Sequence, residues 1–202
     1  MYSLYLHIPF CRQACHYCDF HFSTTLKRKS EMVAALCKEL IMRKEEAVGS
    51  ELQTIYLGGG TPSILTYDEL KQLFDTIYSY YKVSPTAEIT IECNPDDFFR
   101  LHTPEQLLQQ LTSLGINRLS LGVQSFFEED LRLMNRVHTT TQVTTLLPIA
   151  SQYFDNITID LIYGIPMMSN ERWEENIYKA LSFGIPHISA YALTVEEKTA
   201  LH

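Results

Sequence analysis

The sequence predicts an α/β fold, a partial (βα)6 TIM-like barrel with a parallel sheet, helices outside the sheet and a polar interior. Two observations lead to this prediction. Segments typical of strands and of helices alternate six times, which indicates a parallel sheet with helical crossovers. Each predicted strand also has one apolar and one polar face. Because a parallel sheet buried on both faces is almost continuously Val, Ile and Leu, the polar face is expected to line a cavity.

Hydrophobic periodicity and turn signals place the individual elements. The predicted strands cover residues 3–8, 53–58, 87–93, 116–123, 157–163 and 187–192, and the predicted helices cover residues 28–47, 66–81, 104–114, 127–135, 139–154 and 170–183. Thr66, Thr103 and Ser169 are expected helix N-caps, and Gly115 and Gly184 are expected to end helices.

The third predicted strand shows the two faces clearly, since Glu and Thr alternate with Ile and Cys from Glu88 to Cys93. The alternative is an ordinary three-layer sheet, in which the polar side chains lie under one layer of helices. There, each buried polar group left without a partner would cost ~1–3 kcal/mol. An open barrel with a solvated interior avoids that cost.

Composition limits the classes of function. The chain has 202 residues, of which 46% are hydrophobic and 20% charged, as in a single soluble domain. Its formal net charge of −8 argues against a nucleic-acid partner, because such binders present basic surfaces. No apolar run reaches the ~18 residues of a transmembrane segment, and no secretory signal is recognisable. The protein is therefore expected to be cytoplasmic.

Three of the five cysteines, Cys11, Cys15 and Cys18, form a C-x3-C-x2-C run directly after the first strand. Crowded thiolates favour metal chemistry over disulfides. They could ligate three irons of a [4Fe-4S] cluster and leave the fourth iron open. They could equally form a closed zinc site with one histidine, such as His16, as fourth ligand; His7 and His21 are the other candidates. The remaining Cys37 and Cys93 fit core positions, and the spacing alone leaves both metal sites open.

The other unusual motifs follow later strands, where ligands of parallel α/β folds bind. They are Gly58-Gly59-Gly60-Thr61-Pro62, Glu92-Cys93-Asn94-Pro95, Gly122-Val123-Gln124-Ser125-Phe126 and Asp160-Leu161-Ile162-Tyr163-Gly164. The glycines would let a ligand approach the backbone, or would simply form a turn.

Three single side chains in or near these motifs have two interpretations each. Glu92 and Asp160 could accept hydrogen bonds from hydroxyl or ammonium groups, or could form ion pairs with Arg118 or Arg136. His138 could be catalytic, although a single histidine is more often packed in a core or lies on the surface.

Taken together, the motifs Tyr5–Cys11, Tyr17–Phe20, Gly58–Pro62 and Gly122–Phe126 resemble the radical S-adenosylmethionine (SAM) superfamily. They are specifically similar to the oxygen-independent coproporphyrinogen III oxidase-like family, as are Asn135–His138 and Asp160–Gly164. The similarity covers essentially the whole chain. It implies a six-stranded partial barrel and favours the [4Fe-4S] cluster over zinc.

The resemblance also implies roles for individual residues. Cys11, Cys15 and Cys18 would bind three irons of the cluster, and the amine and carboxylate of SAM would chelate the fourth. The residues that match the family's SAM contacts are Tyr5, Tyr17, Gly59, Gly60, Thr61, Glu92, Gln124, Arg136 and Asp160. One-electron reduction of bound SAM would give methionine and a 5′-deoxyadenosyl radical.

Within this family the sequence resembles the HemW-type branch of heme chaperones. Authentic oxidases carry a further cysteine two residues after the third one, whereas this chain has Cys18-Asp19-Phe20. A heme chaperone is therefore expected, with heme or a porphyrin, an electron donor and a heme-acceptor protein as partners. The alternatives are an oxidase that makes protoporphyrinogen IX and a passive cluster-bearing module. Residues 1–202 would be the radical SAM core domain, without the family's C-terminal domain.

Overall fold

The protein contains one six-stranded parallel sheet with its strands in sequential order. The computed structural model describes residues 2–197 and 199–202. The strands are β1 (Tyr2–Ile8), β2 (Leu52–Gly59), β3 (Val83–Cys93), β4 (Arg118–Gln124), β5 (Asn156–Tyr163) and β6 (His187–Ala192). Within the described residues β1 pairs only with β2, and β6 pairs only with β5. The predicted unclosed barrel is therefore confirmed.

In the described part of the chain, six α-helices connect or follow the strands. They are α1 (Lys29–Arg43), α2 (Tyr67–Tyr80), α3 (Pro104–Ser113), α4 (Glu128–Leu133), α5 (Thr140–Ala150) and α6 (Asn170–Ser182). Short 3₁₀ helices flank α1 at Leu26–Arg28 and Lys44–Ala47, and others follow β2 and β3 at Pro62–Ile64 and Pro95–Phe99. Among the described residues, no helix reaches the length and apolarity that crossing a membrane requires.

The predicted caps are present. The hydroxyl groups of Thr66 and Thr103 close capping boxes, and that of Ser169 accepts a hydrogen bond from the backbone of Arg172. Gly115 and Gly184 end helices with positive φ angles of 88° and 68°.

Several boundaries differ from the prediction. β3 starts at Val83, four residues earlier than predicted, although this extension contains Pro85. The predicted helix 127–135 is shorter, because Asn135 has a left-handed φ of 57°. The helix predicted to end at residue 154 ends at Ala150 instead.

The apolar strand faces pack against the helices and form one core, in which Ile55, Leu57, Ile91, Leu119 and Ile159 are completely buried. Burial of this face provides most of the stabilisation that orients the opposite face. The apolar side chains of the strands thus point outward toward the helices, as the sequence pattern predicts.

The polar face has two regions. Toward the amino ends of the strands, Arg118 donates to the hydroxyls of Thr90 at 3.2 Å and Thr158 at 2.7 Å, and Thr158 lies 3.1 Å from His187 Nδ1. These side chains therefore provide hydrogen-bond partners for one another. Toward the carboxyl ends the side chains surround a cavity of about 500 Å³. A cavity lined by polar strand residues favours the open barrel over the three-layer sheet.

Candidate functional site

The three clustered cysteines lie on a loop between β1 and α1 whose base is closed by backbone hydrogen bonds. Ser23 N–H donates to Pro9 O at 2.9 Å, and Cys11 N–H donates to Ser23 O at 3.1 Å. The thiols of Cys11, Cys15 and Cys18 are partly buried, form no disulfide and all line the cavity. The loop therefore presents three soft ligands to one space.

A second set of contacts ties this loop to the segment between α4 and α5. Gln13 Nε2 donates to both the backbone and the side-chain oxygen of Asn135, at 2.9 and 2.7 Å. Asn135 Nδ2 donates in return to Ala14 O at 2.8 Å. The left-handed backbone of Asn135 allows this exchange, because asparagine tolerates a positive φ better than most residues. Arg136 is the next residue in the chain, so the same segment supplies a cation to the site.

An ion pair fixes the start of the cysteine loop. Arg12 Nε lies 2.9 Å from Asp97 Oδ1, and the Ser63 hydroxyl donates to the other carboxylate oxygen at 2.6 Å. The Asp97 side chain is only 2% exposed. Asp97 thus joins the loop after β1 to the turns that follow β2 and β3.

The donor geometry argues against the closed zinc site. His16 Nδ1 lies 2.9 Å from Leu133 O and His7 Nδ1 lies 3.1 Å from the Tyr5 hydroxyl, so only Nε2 of either ring remains to bind zinc. In residues 2–197 and 199–202, no three Cys, His, Asp or Glu side chains converge as ligands of a single ion. Three thiols that line one cavity without converging on a single ion fit a wider centre such as a [4Fe-4S] cluster.

The glycine run at the carboxyl end of β2 is required mainly by the protein's own packing. A Cβ atom on Gly60 would lie 2.6 Å from Phe10 O and 2.8 Å from Phe10 N, at the start of the cysteine loop. One on Gly59, where φ is 114°, would lie 2.6 Å from the His7 ring. Gly59 and Gly60 also line the cavity, so the expected backbone access for a ligand is retained.

Glu92 lies on the polar face of β3, where it accepts two hydrogen bonds. The donors are the Tyr56 hydroxyl at 2.7 Å and the Gly59 backbone N–H at 3.0 Å. Burial raises the pKa of Glu92 above its ordinary value, although both hydrogen bonds act in the opposite direction. The carboxylate is therefore oriented, and within residues 2–197 and 199–202 it forms no ion pair with an arginine, contrary to the ion-pair interpretation.

Asp160 lies on the polar face of β5. Burial, and then the negative charge of Glu92, raise the pKa of Asp160 to about 6. Two carboxyl groups on one cavity wall form a strongly polarised surface, which suits hydroxyl and ammonium groups of a ligand.

Arg136 is held by four acceptors, none of which is a carboxylate. Nη1 donates to Cys15 Sγ at 3.3 Å and to the Tyr17 hydroxyl at 3.4 Å, while Nη2 donates to Asn94 Oδ1 at 2.6 Å and to Gly122 O at 3.0 Å. Its Nε is buried and has no partner among the described residues. An acceptor from outside the chain, such as a carboxylate, would satisfy this donor.

Two further residues have unusual local settings. Gln124 has a φ of 65° at a point where the pairing of β4 with β5 shifts register, so the strand is distorted beside the cavity. His138 is buried with Nε2 3.0 Å from Val123 O, and burial, aided by Arg136, lowers its pKa to about 3. His138 is therefore a neutral core residue and does not line the cavity.

All twelve site residues predicted from the sequence line this one cavity. They are Cys11, Cys15, Cys18, Tyr5, Tyr17, Gly59, Gly60, Thr61, Glu92, Gln124, Arg136 and Asp160. The prediction did not include several polar neighbours that line it as well, namely Gln13, Asn94, Ser120, Tyr191 and Thr194. Strand alternation points to Ser120 and Tyr191, whereas no periodic signal marks Gln13 or Asn94.

Comparison with known proteins identifies the family. The model of the radical SAM superfamily matches residues 5–188. This chain belongs to the radical SAM superfamily. Membership implies a [4Fe-4S] cluster and SAM as cofactors, and the cysteine loop and cavity described above are compatible with both.

Curated relatives agree with the HemW-type resemblance seen in the sequence. The heme chaperone HemW of Bacillus subtilis is 38% identical over 205 residues, which cover 100% of this chain and 53% of that protein. The HemW protein of Escherichia coli is 35% identical over 201 residues, with 98% and 52% covered. The chain thus spans about half the length of the curated relatives it matches.

A solved radical SAM enzyme has the same fold. Coproporphyrinogen III oxidase (HemN) from Escherichia coli superposes with a TM-score of 0.86 at 31% identity, over 95% of this chain and 44% of that one. The radical SAM methyltransferase TsrM from Kitasatospora setae reaches a TM-score of 0.67 at 10% identity, which shows the fold alone.

The raised pKa of Asp160 gives a prediction about stability in this radical SAM chain. Above pH 6 the folded protein holds an ionised carboxylate that prefers to be protonated, so Asp160→Asn should increase the free energy of unfolding at pH 8 by about 1–3 kcal/mol. This advantage should shrink as the pH falls from about 6 toward 3.8, because over this range the carboxyl is protonated in the folded protein but still ionised in the unfolded chain. Urea unfolding from pH 5 to pH 8 measures it.

The exposed Asp155 supplies the control for that measurement. Asp155→Asn makes the same chemical change on the surface and should alter the free energy of unfolding by less than about 0.5 kcal/mol. A stability difference for Asp160→Asn that stays constant from pH 5 to pH 8 would contradict the assignment of the raised pKa to Asp160.

Proposed function

We propose that this chain is the radical SAM core domain, residues 1–202, of a HemW-type heme chaperone. The observation that carries the proposal is the 38% identity to the Bacillus subtilis heme chaperone over the whole chain. The sequence Cys18-Asp19-Phe20 supports the same branch, because it lacks the further cysteine typical of the oxidases.

In this proposal Cys11, Cys15 and Cys18 bind the cluster, and the remaining cavity residues bind SAM. When bound, the cluster and SAM supply one-electron chemistry that the protein's own side chains cannot perform. The buried Nε of Arg136 is suited to the carboxylate of SAM. Glu92, oriented by Tyr56, is suited to a ribose hydroxyl, as is Asp160.

The rest of the proposed contact set lies around these groups. Tyr5, Tyr17, Gly59, Gly60, Thr61 and Gln124 would position SAM and exclude water from the reacting atoms. The nearly buried Thr61 and Gln124 support this proposal, since they present polar groups inside the cavity rather than at its rim.

Heme, an electron donor and a heme-acceptor protein are the proposed partners, and the cytoplasm is the proposed location. Aromatic side chains at the cavity, Tyr5 at 57% exposed and Phe20 at 70% exposed, offer apolar surface to a porphyrin ring. Tyr191, at 55% exposed, adds to this surface on β6.

Titration of heme into the full-length protein tests the chaperone function. A stoichiometric shift of the Soret band is expected. The control is the same titration into urea-unfolded protein, which distinguishes a formed site from nonspecific adsorption. The absence of any shift in the folded protein would remove the heme chaperone proposal.

The oxidase is the second candidate, favoured by the structural similarity to HemN. Anaerobic incubation with coproporphyrinogen III, a reductant and SAM should then release carbon dioxide. If no carbon dioxide is released, the result favours the chaperone over the oxidase. Formation of 5′-deoxyadenosine under reducing conditions separates both functions from a passive cluster-bearing module.

A further inference from the structure

Two of the three proposed cluster ligands receive hydrogen bonds from side chains. Arg136 Nη1 donates to Cys15 Sγ at 3.3 Å, and the Thr61 hydroxyl donates to Cys11 Sγ at 3.5 Å. Among the described residues, Cys18 has no such side-chain donor. Donors aimed at ligand sulfurs stabilise the more electron-rich, reduced form of an iron–sulfur cluster and thus raise its reduction potential.

A single side chain links the two donors. Asn94 Oδ1 accepts from Arg136 Nη2 at 2.6 Å, and Asn94 Nδ2 donates to Thr61 Oγ1 at 3.2 Å. Because Thr61 Oγ1 accepts this bond, its own hydrogen is directed elsewhere, and Cys11 Sγ is in range. The chain of contacts therefore runs from Cys15 through Arg136, Asn94 and Thr61 to Cys11.

The backbone around this chain keeps Asn94 and Arg136 in place. The Asn94 backbone N–H donates to the Ser63 hydroxyl at 3.2 Å. Gly122 O accepts from Arg136 Nη2 at 3.0 Å, and a Cβ atom on Gly122 would lie only 3.2 Å from that nitrogen. The guanidinium orientation is thus fixed by the protein and does not depend on a bound ligand.

We propose that Asn94 is a positioning residue that aligns Thr61 and Arg136 on the sulfurs of Cys11 and Cys15 and thereby raises the reduction potential of the cluster. This inference rests on the proposed function, since it requires the three cysteines to be cluster ligands. It assigns Asn94 a role that does not involve contact with SAM.

The test is a potentiometric EPR titration of the reconstituted full-length protein without SAM, so that loss of SAM contacts cannot affect the result. Asn94→Ala should decrease the equilibrium constant for cluster reduction about tenfold. For a one-electron couple this lowers the reduction potential by ~59 mV. Thr61→Val should shift it in the same direction, and Thr61→Ser, which keeps the hydroxyl, should restore it. The exposed Thr144→Val is the matched control and should have the wild-type potential.

Pulsed EPR of the reduced wild-type protein after exchange into D₂O provides a measurement that needs no variant. Strongly coupled exchangeable hydrogens at the cluster are expected. Their absence, or unchanged potentials in both Asn94→Ala and Thr61→Val with full iron content, would overturn this inference alone. A wild-type protein that cannot be loaded with a cluster would overturn the proposed function and the inference together.

Discussion

Replacing Cys15 with alanine is expected to abolish the brown colour of the reconstituted protein and to reduce its bound iron to near zero. The thiol of Cys15 lies on the cavity wall beside Arg136 and is the central one of the three clustered cysteines. With one thiolate removed, only two protein ligands remain for a cluster that needs three. Iron and sulfide analysis after anaerobic reconstitution measures the loss.

Cys37→Ala is the matched control for this variant. Cys37 is buried in α1, outside the cavity, where it packs in the core. Its replacement should lower the free energy of unfolding modestly and leave the iron content unchanged. Stoichiometric iron in Cys15→Ala, or equal iron loss in both variants, would contradict the assignment of the ligands.

Gly60→Ala is expected to lower the free energy of unfolding by about 1–3 kcal/mol and to impair cluster loading as well. The added Cβ atom would meet Phe10 O at 2.6 Å and Phe10 N at 2.8 Å, and backbone atoms cannot move aside as a flexible side chain can. The Gly60 N–H also donates to Ile8 O at 2.9 Å, so the clash lies at the join between β1 and the cysteine loop.

Gly184→Ala separates this steric effect from ordinary glycine replacement. Gly184 has a φ of 68°, and a Cβ atom added there would meet no other atom within 4 Å, so alanine should cost about 1–2 kcal/mol through backbone strain alone. Its iron content should stay at the wild-type level. Wild-type stability and full iron in Gly60→Ala would show that the contact with Phe10 is not close in solution.

The polar and apolar faces of the sheet were predictable from the sequence because strand side chains alternate with a period of two. This periodicity correctly placed Glu92 and Asp160 on the face that surrounds the cavity. Cap residues such as Thr66 were predictable for a similar reason, because a capping box depends on residues only three positions apart.

The hydrogen bonds that shape the site were not predictable in the same way. Gln13 and Asn135 are 122 positions apart in the chain, and no local pattern indicates that they pair. Asn94 lies in a motif that is visible in the sequence. Its contacts with Thr61 and Arg136 form only because the segments that follow β2, β3 and β4 come together at the carboxyl ends of these strands. The helix expected to extend to Asn135 ended early because the loop contact favours a left-handed backbone there.

The sheet does not return from β6 to β1 within the described residues, and this affects which molecules could fit inside it. A closed eight-stranded barrel is only just wide enough for its own side chains. In an arc of six strands, the curvature can vary through small changes in twist between neighbours, without any loss of pairing. The width of the cavity inside such an arc is therefore set by the twist between neighbouring strands and not by closure of the sheet.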